Sequence, residues 1–461
     1  MLFFAYTRLF RYLGPFESGQ YQFILSYVLL FSTVVDFGIQ QFITKKIAED
    51  PKKAKQYFQE FFSFEVVIAS LLYALLIIIA KARHYDSAVF YGVVLAGLGM
   101  AANALTYPYL AVMAAYQDLR RVAWINFLNS AVNVGVITAA IVFRYHIVFL
   151  ASVQLVFGAL DLIIYRFYVR RHLPDPQILK GLKLFDFHLI KNILKQGWPF
   201  ALLVGFSAIY NRIDVVIITF MKGYQDTGYY TAAYKIFDLL GFFPSVVSYT
   251  LFPFFSGLMA RNAVAEVRQN LEKYVRLMLA GALPMAVGGT LLAGRLIRLV
   301  AGPEYGPAGP VLAILIWAPA ILFTYIPVNS LVISQLTKKA VLITGANVVV
   351  NIVGNVLLIP HFGIRAAAIM TVVSESLQGI FYFRFVRANI TAFSFARGLW
   401  QPLLASAVMG AALWNIRGAS LALTLPAGAA VYGLVLLATG FAGRDEIKTI
   451  KELFKREPEA V

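Results

Sequence analysis

The sequence contains no cysteine, which excludes disulfide staples and thiolate metal sites together. Histidine is nearly as scarce, and His84, His146, His172, His188 and His361 are scattered without ligand spacing. Charge is also in short supply. Asp, Glu, Lys and Arg make up 14% of the 461 residues against 60% hydrophobic residues, and the mean hydropathy is +0.73. A water-soluble body of this size could not cover its surface with so few polar groups. Acids are the scarcer sign, 23 against 40 basic residues, for a net charge of +17. The basic residues fall in short runs between apolar stretches instead of gathering in one domain, which argues for membrane topology and against a nucleic-acid partner. Without a glycine-rich phosphate loop, a metal cluster or a large soluble segment, the chain reads as no enzyme and as needing no cofactor and no metal.

What is abundant is apolar length. Runs of about 20 residues, enough to cross a bilayer core, occur near 21–42, 58–80, 88–113, 122–143, 147–168, 197–220, 229–253, 271–293, 309–333, 340–359, 364–385, 398–414 and 421–441. Ahead of them, Met1 to Leu13 is apolar but reaches only about 20 Å at 1.5 Å per residue, short of the roughly 30 Å core. It reads as half of a fourteenth span. The connecting segments alternate in charge: seven of them, from Lys45–Lys55 to Arg444–Arg456, hold 28 Lys and Arg, whereas the opposite set holds eight. By the positive-inside rule the basic set is cytoplasmic, and with it the C-terminus. Lys53, Lys183 and Lys339 should then lie on one side, and Arg83 and Lys222 on the other. Ile447, Ile450, Leu453 and Phe454 make the tail amphipathic, suited to the inner membrane surface or to a fraying end of the last helix.

An internal repeat organises these spans. Gly14, Glu17, Gly19 and Tyr21 match Gly223, Asp226, Gly228 and Tyr230 at a constant offset of 209. At an offset of 218, Thr106 and Tyr107 match Thr324 and Tyr325, Gln117 matches Gln335, Arg120 and Arg121 match Lys338 and Lys339, and Asn129 and Asn133 match Asn347 and Asn351. Several matches in one order, with a shift of 9 between offsets, describe two diverged copies of a six-span unit. An even number of spans makes both copies enter the membrane in the same direction. The expected fold is an all-α integral membrane protein of about 14 transmembrane helices, in two parallel six-helix lobes around a central cavity, with a C-terminal helix pair and a truncated first helix. The divisions are an N-terminal lobe over 1–172, a cytoplasmic linker over 173–195, a C-terminal lobe over 196–388, the extra pair over 389–443 and a cytoplasmic tail over 444–461. If Gly197 opens the seventh span, its counterpart falls before Met1, so either the start is misplaced or the first helix is shortened.

Ionisable groups at membrane depth are costly enough to be functional candidates. Arg212 lies about 12 Å inside the seventh span and Asp238 at a similar level in the eighth, with Asp214 and Lys235 matched at a shallower one. Lys235 and Asp238, three apart, share a helix face, whereas Arg212 and Asp214, two apart, diverge. Arg8 and Arg11 share a face of the first span, where guanidinium forks would suit phosphoryl oxygens. These six are candidates for a substrate cavity, with structural ion pairing or snorkelling as the alternatives. Asp36, Asp161 and Glu375 are candidates for gating or ion coupling. Asn126, Asn129 and Asn133, with Asn347, Asn351 and Asn355, draw a polar stripe on one helix of each copy, best explained by helix-to-helix hydrogen bonds.

The segments RYLGPFESGQY, VVDFGIQQFITKKIAEDPKKAKQY, LKQGWPFALLVGFSAIYNRIDVVIITF, GYYTAAYKIFDLL, SYTLFPFFSGL, LVAGPEYGPAGPVLAIL and NIVGNVLLIPHFGIRAAAIMT, in this order, resemble the polysaccharide (O-antigen type) flippases of the multidrug, oligosaccharidyl-lipid and polysaccharide exporter superfamily. The likeness runs from about Arg11 to Phe385, and the family's RID appears as Arg212, Ile213 and Asp214. The resemblance implies a plasma-membrane exporter that moves a lipid-linked glycan to the outer leaflet. Its pyrophosphate and sugar would occupy the cavity, and its prenyl tail would stay toward bilayer lipid. Protons or sodium ions are the candidate coupling ions, and polysaccharide assembly proteins the candidate partners. A peptidoglycan lipid-precursor flippase and a multidrug extruder of the same superfamily are the alternatives.

Overall fold

The computed structural model describes residues 2–36, 39–172, 187–335, 337–394 and 399–441, and the regular elements among them are all helical. The linker residues 173–186, Phe37 with Gly38, and the tail 444–461 lie outside the described residues. The chain forms two compact units, Met1–Gly228 and Tyr229–Val461.

The first unit contains α1 (Leu2–Asp36), α2 (Ile39–Glu49), α3 (Ala54–Ala82), α4 (Ser87–Ala104), α5 (Tyr107–Ala115), α6 (Leu119–Val142), α7 (Ile147–His172), α8 (Phe187–Lys222) and the first turn of α9 (Tyr224–Ala260). Its opening helix is broken at Gly14, which sits at φ 68° and ψ 176°. That left-handed φ costs glycine little, and Pro15, with its fixed φ and missing N–H, restarts the helix at its first position. The division falls at Gly228 because α8 packs along α1. Phe187 already lies in α8, so the last nine residues of the expected linker are helical. α4 and α5 are two pieces of the expected fourth span, parted at Leu105 and Thr106, where Thr106 N–H donates to Asn103 O at 2.9 Å. Apolar clusters hold the unit, two of them large. Phe23, Ile24, Leu76, Val93 and Ala151 pack in one, and Ile43, Ile47, Phe61, Tyr109 and Val112 in the other.

The second unit continues α9 and adds α10 (Val264–Val300), α11 (Ala308–Leu315), α12 (Trp317–Gln335), α13 (Thr337–Phe362), α14 (Ile364–Asn389), α15 (Trp400–Asn415) and α16 (Leu421–Ala438). Gly363, at φ 61°, turns α13 into α14. The extra pair α15 and α16 is tied to α10 by polar side chains: Arg276 Nη2 donates to Gln401 Oε1 at 3.3 Å, Tyr432 Oη donates to Ala280 O at 2.6 Å, and Arg295 donates to Ala419 O. Hydrocarbon would leave such groups unpaired, so each is placed against a protein partner.

Eleven of the described helical segments are long and apolar enough to cross a membrane. Large apolar side chains such as Leu71, Ile78, Phe127, Tyr249, Leu342 and Leu434 stand exposed along them, which water would penalise and lipid accommodates. The chain is a multi-pass, all-helical membrane protein.

Candidate functional site

In the first unit, Leu9 and Leu13 are buried with Ile137, Ala140, Ile147 and Leu150 of α6 and α7, which fixes the rotation of the 2–13 stretch. Arg8 and Arg11 therefore stand on its exposed side. On α8, Arg212 is half-buried and Asp214 is 2% exposed. Asp214 Oδ1 accepts from the Val215 N–H at 2.8 Å, and the run from Val215 to Thr219 is buried beyond it. Asp161 of α7 is buried and accepts from Asn129 Nδ2 of α6 at 2.5 Å, while Asn133 is half-buried and Asn126 exposed. Asp36 ends α1, and its side chain lies outside the described ones.

The same unit brings the two repeated glycine motifs together. Gly223, like Gly14, has a left-handed φ, of 86°. A Cβ added to Gly19 would lie 1.8 Å from Tyr224 O, and one added to Gly228 would lie 1.8 Å from Pro15 O. Gly19 corresponds to Gly228 and Pro15 to Tyr224 at the repeat offset, so the two contacts are the same contact seen from either copy. Only glycine permits this approach of one backbone to another. Thr219 and Thr227 hydroxyls, 2.8 Å apart, join α8 to α9 beside it.

In the second unit, Lys235 Nζ lies 3.7 Å from Asp238 Oδ2, an i,i+3 pair on one face of α9. The amides of α13 bond across to α14: Asn347 Nδ2 donates to Gln378 Oε1 at 2.8 Å, and Asn351 Nδ2 donates to Ser374 Oγ at 3.1 Å. Asn355 Nδ2 donates to Asn351 Oδ1 at 3.0 Å, extending the ladder one turn. Glu375, 5% exposed, accepts from the Tyr325 hydroxyl of α12, and the Tyr325 and Tyr382 rings stand 6.0 Å apart.

The structure thus brings together Lys235 with Asp238, Asn129 with Asp161, and Asn347 and Asn351 with α14. Arg8, Arg11, Arg212 and Asp214 belong to the first unit, and Lys235 and Asp238 to the second. Sequence reasoning did not single out Gln378, Ser374 or the Tyr325–Glu375 pair. In the sequence Tyr325 stands out only as a repeat match, and a partner 50 residues away leaves no local spacing.

Glycine-mediated contact between repeated motifs, interhelical hydrogen bonds between polar side chains and apolar surfaces suited to lipid define a class, the polytopic helical membrane proteins. The chain belongs to the polysaccharide biosynthesis protein family, whose sequence pattern matches residues 1–259. It is 25% identical over 252 residues to a probable flippase, AglR, of Haloferax volcanii, covering 52% of this chain and 53% of that one. An uncharacterized membrane protein of Methanocaldococcus jannaschii is 26% identical over 53% of this chain and 48% of its own. These two matches span about half the length of each relative. A probable low-salt glycan biosynthesis flippase of Haloferax volcanii, Agl15, is 20% identical over 90% of this chain and 86% of its own. Among solved structures, the lipid II flippase MurJ in an inward closed conformation shares the fold with a TM-score of 0.71 at 14% identity, covering 94% of this chain and 97% of that one. An inward-facing multidrug resistance transporter of the MOP superfamily follows at a TM-score of 0.63, again at 14% identity, over 84% of this chain and 94% of that one.

Proposed function

We propose that this protein moves a lipid-linked, prenyl-pyrophosphate oligosaccharide or polysaccharide repeat unit from the inner to the outer leaflet by alternating access, without chemical conversion. The observation that carries this reading is the match along 90% of the chain to a relative named as a glycan biosynthesis flippase. Transport of a peptidoglycan lipid precursor is the second reading, favoured by the fold shared with a lipid II flippase. The site of action is the plasma membrane, with the basic segments and the C-terminus cytoplasmic. Arg212 holds the substrate's phosphate, because a guanidinium fork suits phosphoryl oxygens and its half-buried place in α8 limits competition from water. Arg8 and Arg11 offer two more cationic contacts on the exposed side of the first helical stretch. Glu375 and Asp161 are the carboxyls that a proton or sodium gradient would act on.

Protein reconstituted in liposomes should move a labelled prenyl-pyrophosphate oligosaccharide between leaflets, faster under an imposed proton or sodium gradient. Arg212→Gln should slow that movement about tenfold at unchanged folded yield, the loss of one charged contact worth about 1.4 kcal/mol. A rate equal to that of protein-free liposomes, with folded protein verified, would overturn the reading. A rate unaffected by either gradient would remove the coupling roles alone.

A further inference from the structure

The second unit carries an open recess of ≈ 740 Å³, one wall of which is a stripe of α14. Ser376, Ile380, Phe383, Arg384 and Arg387 follow one another at helical intervals of three, four or one, so they share a face that covers about 16 Å of helix. Ile321 and Thr324, three apart on α12, make the opposing wall. The third side is the segment that leaves α14. Phe393 folds back with its ring 5.5 Å from that of Phe383, and the Ser394 N–H donates to Glu272 Oε1 of α10 at 3.0 Å. Glu272 is itself held by Arg268 at 3.5 Å, so this wall is anchored to a second helix.

The chemistry of the cavity is divided along its length. Its floor is mostly apolar, made by Ile321, Ile380 and Phe383, with the Thr324 and Ser376 hydroxyls beside them donating to their own helix backbones at 2.7 Å, and its mouth carries Arg384 and Arg387, both exposed. Among the described residues no carboxylate lines it, so the mouth bears two positive charges that the described lining does not neutralise. Arg387 lies two residues before the end of α14, in one of the basic segments, which puts the mouth at a membrane surface and the floor toward hydrocarbon. Basic residues at helix ends ordinarily serve topology and contact headgroups without selection. Here they stand over an apolar recess with a fixed aromatic wall. An anionic head joined to an apolar chain matches that order of surfaces.

We propose that this cavity is a binding site for one anionic phospholipid of the leaflet that meets the basic end of the unit, by the proposed orientation the cytoplasmic one. Arg384 and Arg387 hold the phosphate, Ser394 lies in the same cavity on the side of the headgroup, and the start of an acyl chain lies on Ile321, Ile380 and Phe383. The site requires only that the chain spans a membrane, and it stands whether or not the protein moves glycans.

The test is native mass spectrometry of the full chain in detergent, titrated with dioleoylphosphatidylglycerol or dioleoylphosphatidylcholine. One phosphatidylglycerol should be retained saturably, and phosphatidylcholine should not. Arg384→Gln with Arg387→Gln should weaken retention roughly thirtyfold, at about fivefold for each basic contact with an anionic lipid. Ile380→Trp, which fills the recess and keeps both charges, should abolish saturable retention. All three positions are exposed, so the variants fold, and an unchanged unfolding temperature in phosphatidylcholine verifies it. Equal retention of both lipids, retention that rises in proportion to lipid added, or wild-type behaviour of Ile380→Trp would overturn the site. Displacement of phosphatidylglycerol by an equimolar prenyl phosphate would also overturn it, in favour of a carrier-lipid site.

Discussion

The two copies of the asparagine stripe begin from matching residues and end in different surroundings. On α13, Asn347, Asn351 and Asn355 are buried, and two of them reach Gln378 and Ser374 on α14. On α6, Asn126 is exposed, Asn133 is half-buried, and Asn129 bonds to Asp161. The cause lies in the partner helix. The positions 218 residues before Ser374 and Gln378 are Val156 and Leu160, both exposed, which offer an amide nothing to bond. Asp161 stands one residue beyond Leu160 and serves Asn129 from a neighbouring position. A polar stripe therefore specifies which face of a helix wants a partner, and the facing helix decides whether the result is a ladder or a single bond.

Where the two glycine motifs meet, both keep the glycines that the close approach requires, and the largest effect is expected there. Gly19→Ala and Gly228→Ala each press a methyl group to 1.8 Å from a backbone carbonyl, which no rotamer change can relieve. Each should cost more than about 3 kcal/mol and leave little folded protein, read as monodisperse yield from size-exclusion chromatography. Gly241→Ala, with nothing within 4 Å of the added carbon, is the control and should keep the yield within about 0.5 kcal/mol of unchanged stability. If one glycine of the pair tolerates alanine and the other does not, the two contacts are not equivalent.

The sequence made the membrane spans and the repeat legible because apolar length and constant offsets need no three-dimensional partner. Gly14, Gly19, Gly223 and Gly228 were visible as matched letters, yet that Gly19 and Gly228 each meet the other motif's backbone depends on how α1, α8 and α9 pack. Glu375 was visible as an acid at membrane depth. Its partner Tyr325 was not, since α12 and α14 are joined only through the intervening α13. Arg384 and Arg387 registered as topology signals, and the recess beneath them forms only once Phe393 folds back on Phe383. Lys235 with Asp238 was readable from a spacing of three on one helix, the kind of contact that sequence alone can specify.

A smaller effect separates the acids of the two units. Tyr325→Phe removes the hydroxyl that donates to Glu375, a group only 5% exposed, and should lower stability by about 2 kcal/mol, within the usual cost of a buried group losing its partner. Asn129→Ala removes the corresponding donor from Asp161, which at 9% exposure is less enclosed and should lose about 1 kcal/mol. Thermal unfolding in detergent orders the two. A larger loss at Asn129 would mean that the first unit's acid, and not the second's, depends more on its partner.

The finest test asks whether the ladder on α13 stabilises or only coincides with a packed interface. Asn351 is the rung to cut, because it donates to Ser374 and accepts from Asn355, so Asn351→Ala breaks two bonds in one step. Interhelical hydrogen bonds in membrane proteins contribute little individually, and the expected loss is about 1 kcal/mol. Asn133→Ala, the matching position on α6, should change stability by less than about 0.5 kcal/mol, since its side chain is half-buried and Val156 and Leu160 replace the polar partners. The reciprocal change sharpens the comparison: Leu160→Gln restores the residue type found at Gln378 and supplies the amide that this position of α7 lacks. It should raise the unfolding temperature only when Asn129 is present to meet it, a dependence that a double-mutant cycle reads directly. Equal losses at Asn351 and Asn133, or a gain from Leu160→Gln that survives Asn129→Ala, would show that the facing helix does not decide the fate of the stripe.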